Sequence, residues 1–359
     1  SDFGIGTGLV RFASLYLHQD KLKADLMFKV SLKLKLIISV LVFLIGFFAS
    51  ESLAVHVFRK PELIFPLKLA FIGALGASLV AYISATLQAR QSFKKFALVN
   101  LVNPVGKFAL IGLLFLTYKL NLFSALTTVI ILPFIAFLIG SLTIPKDFLK
   151  AKGAEKEALS ELFHFSKWIL VSTFCVMIFL RLDVLMLGYF KVAEEVGYYS
   201  AAYGLASLFT LVSGAIGTVL LPEVSQFTKK DQLRGYTMKS LKFTMLIVFP
   251  LIILLFLSRF AILNVYGNEY APAVNILRIL ICGFALRMLS TVLYPIFYSL
   301  NKPQNLAGLD IAKLILNFSG NLILIPFYGG IGAAIATALT VVVGISYMGS
   351  YIYLNLFRT

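Results

Sequence analysis

Runs of about twenty apolar residues recur along this chain, separated by short polar stretches, and they leave few options for a fold. Where no water reaches the backbone, every N–H and C=O must be satisfied within the segment, so such runs cross a bilayer as helices. We place spans at 2–17, 34–49, 67–87, 96–118 and 122–144, then at 168–190, 199–221, 243–260, 274–300, 306–327 and 331–354. Apolar residues fill 60% of 359 positions and charged residues only 13%, far from the balance of a water-soluble domain. The expected fold is an all-α polytopic membrane protein.

The order of the runs is duplicated. Ile5-Gly6-Thr7, followed by Ser14, Asp20, Leu22 and Lys23, returns 211 residues later as Ile216-Gly217-Thr218, Ser225, Asp231, Leu233 and Arg234. Ser31-Leu32-Lys33 then matches Ser240-Leu241-Lys242 at an offset of 209. Two pseudo-symmetric bundles are therefore expected, an N-terminal one over 1–145 and a C-terminal one over 167–359, joined by a cytoplasmic connector over 146–166. That connector carries Glu155, Lys156, Glu157 and Glu161 at helical spacing, which predicts a short surface helix between the bundles. Because a full span from Trp168 precedes the second copy, a comparable helix is expected ahead of residue 1, making six spans per bundle. Duplicated bundles of this kind are common in transporters, with the substrate site between the repeats.

Basic residues alternate between loops. Lys21, Lys23, Lys29, Lys33, Lys35, Arg90, Lys94, Lys95, Lys146, Lys150, Lys152, Lys156, Lys167, Lys229, Lys230, Arg234, Lys239, Lys242, Lys302 and Arg358 fall on one side; Arg59, Lys60, Lys68, Lys119, Lys191 and Arg259 fall on the other. The richer side is read as cytoplasmic, which places the chain in the cell membrane as a multi-pass protein. This asymmetry accounts for most of the net charge of +16 without nucleic acid, and the basic loops lack the interleaved aromatics that single-strand binding uses.

Apart from Lys35, Lys68 and Arg259 at the very ends of spans, six basic residues remain inside them: Arg11, Lys107, Arg181, Arg278, Arg287 and Lys313. Each costs roughly 2.5 to 3.5 kcal/mol at the bilayer centre, so those at mid-depth are expected to face protein or water. Acidic partners are few: Asp183, Asp310 and, near the start, Asp2. Asp310 and Lys313 share a helical face and are expected to pair. Arg181 and Asp183 point about 200° apart, so each needs a partner elsewhere. Arg278 and Arg287 are half a turn out of phase; Arg287, nearer mid-span, is the expected cavity cation, while Arg278 lies close enough to the end to snorkel. Lys107-Phe108-Ala109-Leu110 matches Lys313-Leu314-Ile315-Leu316 in type, which puts Lys107 and Lys313 on related walls. The candidate substrate-binding cations are thus Arg287, Arg181, Lys107, Lys313 and Arg11, with Asp183 and Asp310 as groups for ion coupling or for pairing with a basic neighbour.

Pro104, Pro133, Pro250 and Pro295 interrupt spans and are expected to kink them. No phosphate-binding loop, zinc-protease motif or nucleophile elbow occurs, and Cys175 and Cys282 sit in apolar runs, so neither a cofactor nor a metal is expected. The connectors 51–66 and 191–198 are too short for the external catalytic loop of a membrane glycan polymerase or ligase, so we expect no enzyme.

Several local patterns carry a resemblance. Arg181-Leu182-Asp183 with Leu187-Gly188-Tyr189-Phe190 and Val196-Gly197-Tyr198-Tyr199-Ser200-Ala201-Ala202 is one. Others are Leu221-Pro222 with Ser225, Tyr266-Gly267-Asn268-Glu269-Tyr270, Ile325-Pro326 with Tyr328-Gly329-Gly330-Ile331-Gly332, and Phe3-Gly4-Ile5-Gly6 with Arg11-Phe12. In order and spacing they resemble the polysaccharide or O-antigen flippase type of the multidrug/oligosaccharidyl-lipid/polysaccharide exporter superfamily, over nearly the whole chain. The resemblance implies two six-helix bundles in a V shape around a cavity that opens alternately to each side. It also implies a cargo of sugars on a polyprenyl diphosphate.

The basic surplus suits such an anionic lipid, and a proton or sodium ion is a candidate coupling partner at Asp183. A cation-coupled antiporter of drugs or organic cations, built on a related fold, would instead offer its cargo carboxylates. A non-transporting scaffold would have a bundle interface that is apolar and free of cavities.

Overall fold

The computed structural model describes residues 4–57, 60–227, 229–251 and 253–358; Asp2, Phe3 and Arg59 lie outside the described residues, as does the side chain of Pro250. Among the described residues all regular structure is helical. Helices α1 (Ile5–Gln19), α2 (Lys21–Ser52), α3 (Ile64–Ala89), α4 (Phe93–Leu116), α5 (Leu122–Thr143) and the start of α6 (Glu155–Phe190) belong to one compact unit, Ser1–Ser166. The rest of α6, with α7 (Ala193–Ala206), α8 (Leu208–Ser225), α9 (Lys230–Leu251), α10 (Ile253–Tyr266), α11 (Ala273–Ser299) and α12 (Pro303–Ile352), belongs to a second, Lys167–Thr359. Among the described residues eight helical stretches are long and apolar enough to cross a membrane. The protein is a multi-pass membrane protein.

Local chemistry sets the helix ends. Asp20 closes α1 and caps α2 by accepting from the Lys23 amide at 3.1 Å. Asn121 and Ser124 form a reciprocal capping box that opens α5. Pro104, Pro133 and Pro295 are accommodated inside α4, α5 and α11, and Ser207 separates α7 from α8 within what reads as one span.

The connector departs from expectation. Instead of a separate surface helix, a 3₁₀ turn at Asp147–Lys150 is followed by α6, which starts at Glu155 and continues into the next span without a break. Residues 155–166 contain neither Gly nor Pro, and Glu155 and Glu157 suit the first turn, so nothing stops propagation into the apolar run. Lys29 and Lys33 reach Glu155 at 2.8 and 2.6 Å, and Tyr16 donates to Glu161 at 2.8 Å, which ties this segment to α1 and α2.

In the first unit, glycines let helices approach. A Cβ on Gly76 would meet the Phe134 ring at 2.9 Å, and one on Gly140 would meet Ile83 at 2.5 Å, bringing α5 against α3. In the second unit α11 is central, with 61% of its most apolar window buried against 6% for α4.

Helix α12 is a hairpin. Gly329 has φ 55° and ψ −134°, where only glycine sits without strain. On either side the chain pairs with itself in antiparallel order: Lys313 lies against Gly344, Asn317 donates to Thr337 at 3.1 Å, and the Leu324 carbonyl faces Gly332. The spans read at 306–327 and 331–354 are its two arms.

The duplication is visible in backbone detail. Gln91, between α3 and α4, and Asn301, between α11 and α12, are 210 residues apart and both left-handed, at φ 53° and 54°. Arg90 N to Thr86 O (3.1 Å) and Ser92 N to Leu87 O (2.9 Å) recur as Leu300 N to Ile296 O (2.9 Å) and Lys302 N to Phe297 O (2.9 Å). This register corrects the pairing of Lys107 with Lys313. At an offset of 210, Lys313 corresponds to Asn103 and Lys107 to Asn317. The two lysines occupy equivalent faces one helical turn apart, because matching by residue type slid the alignment by four positions.

Candidate functional site

The second unit holds a cavity of about 400 Å³ lined by α6, α8, α11 and both arms of α12. Gly217, from the repeated Ile-Gly-Thr pattern, lies on its wall, where a Cβ would come 3.3 Å from Thr291. Its polar side combines Arg287, Ser290, Thr291, Tyr294 and Tyr298 of α11 with Asp310 and Lys313 of α12 and Ser172 of α6.

Asp310 is buried and fully engaged. Tyr294 donates to it at 2.8 Å, Lys313 at 2.9 Å, and Ser172 also donates to it. Lys313 donates further to Tyr294 Oη at 3.2 Å. Arg287, by contrast, makes no ion pair among the described residues; its guanidinium lies 5.9 Å from the Phe284 ring centre. One carboxylate and two cations leave the cavity with an excess positive charge carried by Arg287.

A second polar cluster, outside the cavity lining, lies in the same unit. Asp183 of α6 is buried and accepts from Tyr199 (2.5 Å), Asn321 (2.6 Å) and Thr337 (2.6 Å), and Asn321 also donates to Asn317 at 3.2 Å. Three neutral donors satisfy a buried carboxylate well enough to hold it in an apolar setting.

A cavity with surplus positive charge inside a duplicated helical membrane protein can be set beside known proteins. The family model described as polysaccharide biosynthesis protein matches residues 2–275. The chain belongs to this family. A probable low-salt glycan biosynthesis flippase, Agl15, of Haloferax volcanii is 30% identical over 183 residues, covering 50% of this chain and 39% of that protein. A putative O-antigen transporter of Shigella flexneri is 25% identical over 255 residues, covering 69% of this chain and 61% of that one. The chain thus spans less than two thirds of these relatives' lengths. Among solved structures, a multidrug resistance MATE family transporter of the MOP superfamily in an outward-facing conformation superposes with a TM-score of 0.83 at 16% identity, over 100% of this chain and 85% of that one. A Pyrococcus furiosus MOP superfamily transporter, described as having a binding pocket of reversed polarity, gives 0.79 at 17% identity, over 98% and 84%. These likenesses establish the fold.

In this polysaccharide biosynthesis protein the candidate residues separate by location. Arg287, Lys313 and Asp310 meet at the cavity. Arg278 does not line it; exposed near the N-terminal end of α11, it donates to Ser258 at 3.0 Å. Arg181 is exposed on α6 while Asp183 is buried, as their angular separation requires. Arg11 and Lys107 belong to the first unit, Arg11 buried next to Phe12 and in electrostatic contact with Glu161. One expectation is corrected: among the described residues Asp183 has no basic partner, because neutral donors occupy its oxygens. Lys313 pairs with Asp310, as their spacing on one helical face predicts. Sequence reasoning missed Tyr199, Asn317, Asn321 and Thr337. A signal was present in the pair of asparagines four residues apart within an apolar run, Asn317 and Asn321, which needs an internal partner in a membrane.

Proposed function

We propose that this chain moves a polyprenyl-diphosphate-linked oligosaccharide from the inner to the outer leaflet of the cytoplasmic membrane by alternating access. The observation that carries this reading is Arg287, a guanidinium without a carboxylate partner among the described residues, on the wall of a polar cavity within an apolar helical unit. A cation held in low dielectric is costly unless an anion meets it, and guanidinium binds the oxygens of a phosphate two at a time. Sugar hydroxyls need a hydrated passage because unpaired polar groups cost several kcal/mol in hydrocarbon, whereas the polyprenyl tail stays in lipid.

A cationic cargo is disfavoured. It would need an available carboxylate, yet Asp310 and Asp183 are each engaged by three donors. In this reading Asp183 is the coupling group for a proton or sodium ion, since neutralising it or exchanging one of its donors for an ion rearranges contacts among α6, α7 and α12. The test is reconstitution into liposomes with a fluorescent polyprenyl-diphosphate oligosaccharide, its outer-leaflet fraction read with a membrane-impermeant quencher. Protein-dependent exchange between leaflets is expected; exchange no faster than in empty liposomes overturns the reading.

A further inference from the structure

The ion pair on the cavity wall is lopsided. The Lys313 side chain is 18% exposed and that of Asp310 1%, so an anion entering the cavity reaches the ammonium and not the carboxylate. Every residue lining this cavity belongs to the second unit, and Arg287 lines it together with Lys313. The stem of Lys313 runs across Gly344, where a Cβ would stand 3.2 Å from its Cδ, so no side chain of residue 344 hinders its movement along the wall.

The other partners of Asp310 make the pair separable. Besides Lys313 at 2.9 Å, the carboxylate accepts from Tyr294 at 2.8 Å and from Ser172, two neutral donors on different helices. Asp183 shows that neutral donors suffice for a buried carboxylate in this unit: Tyr199, Asn321 and Thr337 hold it, and among the described residues no cation does. With Lys313 withdrawn, Asp310 keeps Tyr294 and Ser172. The withdrawn ammonium needs another charged acceptor, and a phosphate oxygen is one.

We propose that Asp310 is the resting counter-ion of Lys313, and that a phosphate group held by Arg287 draws the ammonium away from it, making Lys313 a second cargo ligand in the loaded carrier alone. This rests on the reading that the cargo carries a diphosphate. Two uncompensated cations in an empty cavity would be costly, and pairing one of them internally lowers that cost. The carboxylate then competes with the cargo for one ammonium, which keeps affinity moderate, and its recapture of Lys313 favours release. Tyr294, bonded to both members of the pair, is the positioning residue that keeps the carboxylate in place while the lysine is away.

The test measures binding of a polyprenyl-diphosphate oligosaccharide to the full chain in lipid nanodiscs, for wild type, Asp310→Asn, Lys313→Met and the double variant. Asp310→Asn keeps the size of the side chain and an oxygen for Tyr294 but no longer competes for Lys313, so it is expected to bind the probe about tenfold more tightly and, in liposomes, to exchange it between leaflets more slowly. Lys313→Met is expected to bind about tenfold more weakly, and in its presence Asp310→Asn should change affinity less than about threefold, because the carboxylate acts through the ammonium. If Lys313→Met fails to fold around an uncompensated Asp310, the uncharged double variant takes its place and should bind at least about tenfold more weakly than Asp310→Asn. Unchanged or weaker binding in Asp310→Asn, or the same gain with and without Lys313, overturns the proposal. Binding that is lost in Arg287→Gln yet unchanged in both pair variants overturns this inference and leaves the functional reading standing, whereas wild-type protein that does not bind the probe overturns both.

Discussion

The Lys313 ammonium lies 2.9 Å from the Asp310 carboxylate, one turn along the same arm of α12, while Arg287 on the facing helix lines the same cavity with no carboxylate partner among the described residues. The two cations therefore do different work. Lys313 donates to a buried acid and to Tyr294, whereas Arg287 has no carboxylate partner among the described residues; in the function proposed above its charge is the one that meets an anion.

Breaking the Asp310 pair from one side should hurt more than removing it whole. Asp310→Leu leaves Lys313 uncompensated and is expected to cost about 3 kcal/mol, whereas Asp310→Leu with Lys313→Met should cost well under the sum of the single changes. Unfolding of the four proteins in detergent measures the coupling. Additive costs would show that the 2.9 Å contact contributes nothing.

The α12 hairpin depends on a missing side chain. A Cβ on Gly332 would sit 2.4 Å from the Leu324 carbonyl oxygen, so Gly332→Ala is expected to force the arms apart and cost about 2 kcal/mol or more. Gly112 in α4 has nothing within 4 Å, and Gly112→Ala should stabilise by about 0.5 to 1 kcal/mol through helix propensity. Unfolding temperatures moving in the same direction for both would contradict this packing.

The paired turns make a matched prediction. Gln91 and Asn301 are left-handed, so Gln91→Gly should be neutral or stabilising by up to about 1 kcal/mol, and Gln91→Val should destabilise by about 1 to 2 kcal/mol. The corresponding changes at Asn301 should be ordered the same way, with glycine gaining less because asparagine already tolerates this conformation. Unfolding midpoints that rank valine above glycine at either site would refute the duplicated turn.

Asp183 should separate coupling from cargo binding. Asp183→Asn keeps the size of the side chain but removes its charge, so lipid-glycan binding in nanodiscs should change less than threefold while the response of flipping to an imposed proton or sodium gradient disappears. Gradient-dependent flipping that persists in Asp183→Asn removes this residue from ion coupling.

Much of the fold was readable from apolar periodicity, because a span must satisfy its own backbone. The arms of α12 and the order of the helices followed from that alone. Boundaries failed where polarity and helicity part company: residues 155–166 are polar yet helical, so the connector became the start of α6. The site was legible where it carries charge, as with Asp310, Lys313 and Arg287, since ions inside a membrane need a reason. Tyr199 and Thr337 were not, because uncharged polar residues are common in membrane helices; the asparagine pair signalled an internal partner, but only the folded arrangement shows that Tyr199, Asn321 and Thr337 meet at Asp183, with Asn317 bonded to Thr337 and Asn321. The repeat register needed backbone geometry, because residue identity at Lys107 and Lys313 suggested a match four positions from the one the turns define.

The most direct measurement of a cationic cargo site is leaflet exchange of a polyprenyl-diphosphate oligosaccharide in liposomes holding equal amounts of wild type, Arg287→Lys, Arg287→Gln and Arg287→Glu. Arg287 makes no ion pair among the described residues, so Arg287→Gln should unfold within about 0.5 kcal/mol of wild type. Exchange should fall in the order Lys, Gln, Glu, with Gln at least about tenfold below wild type and Glu at the level of empty liposomes. Wild-type exchange rates in Arg287→Gln and Arg287→Glu would contradict a site built to receive a phosphate.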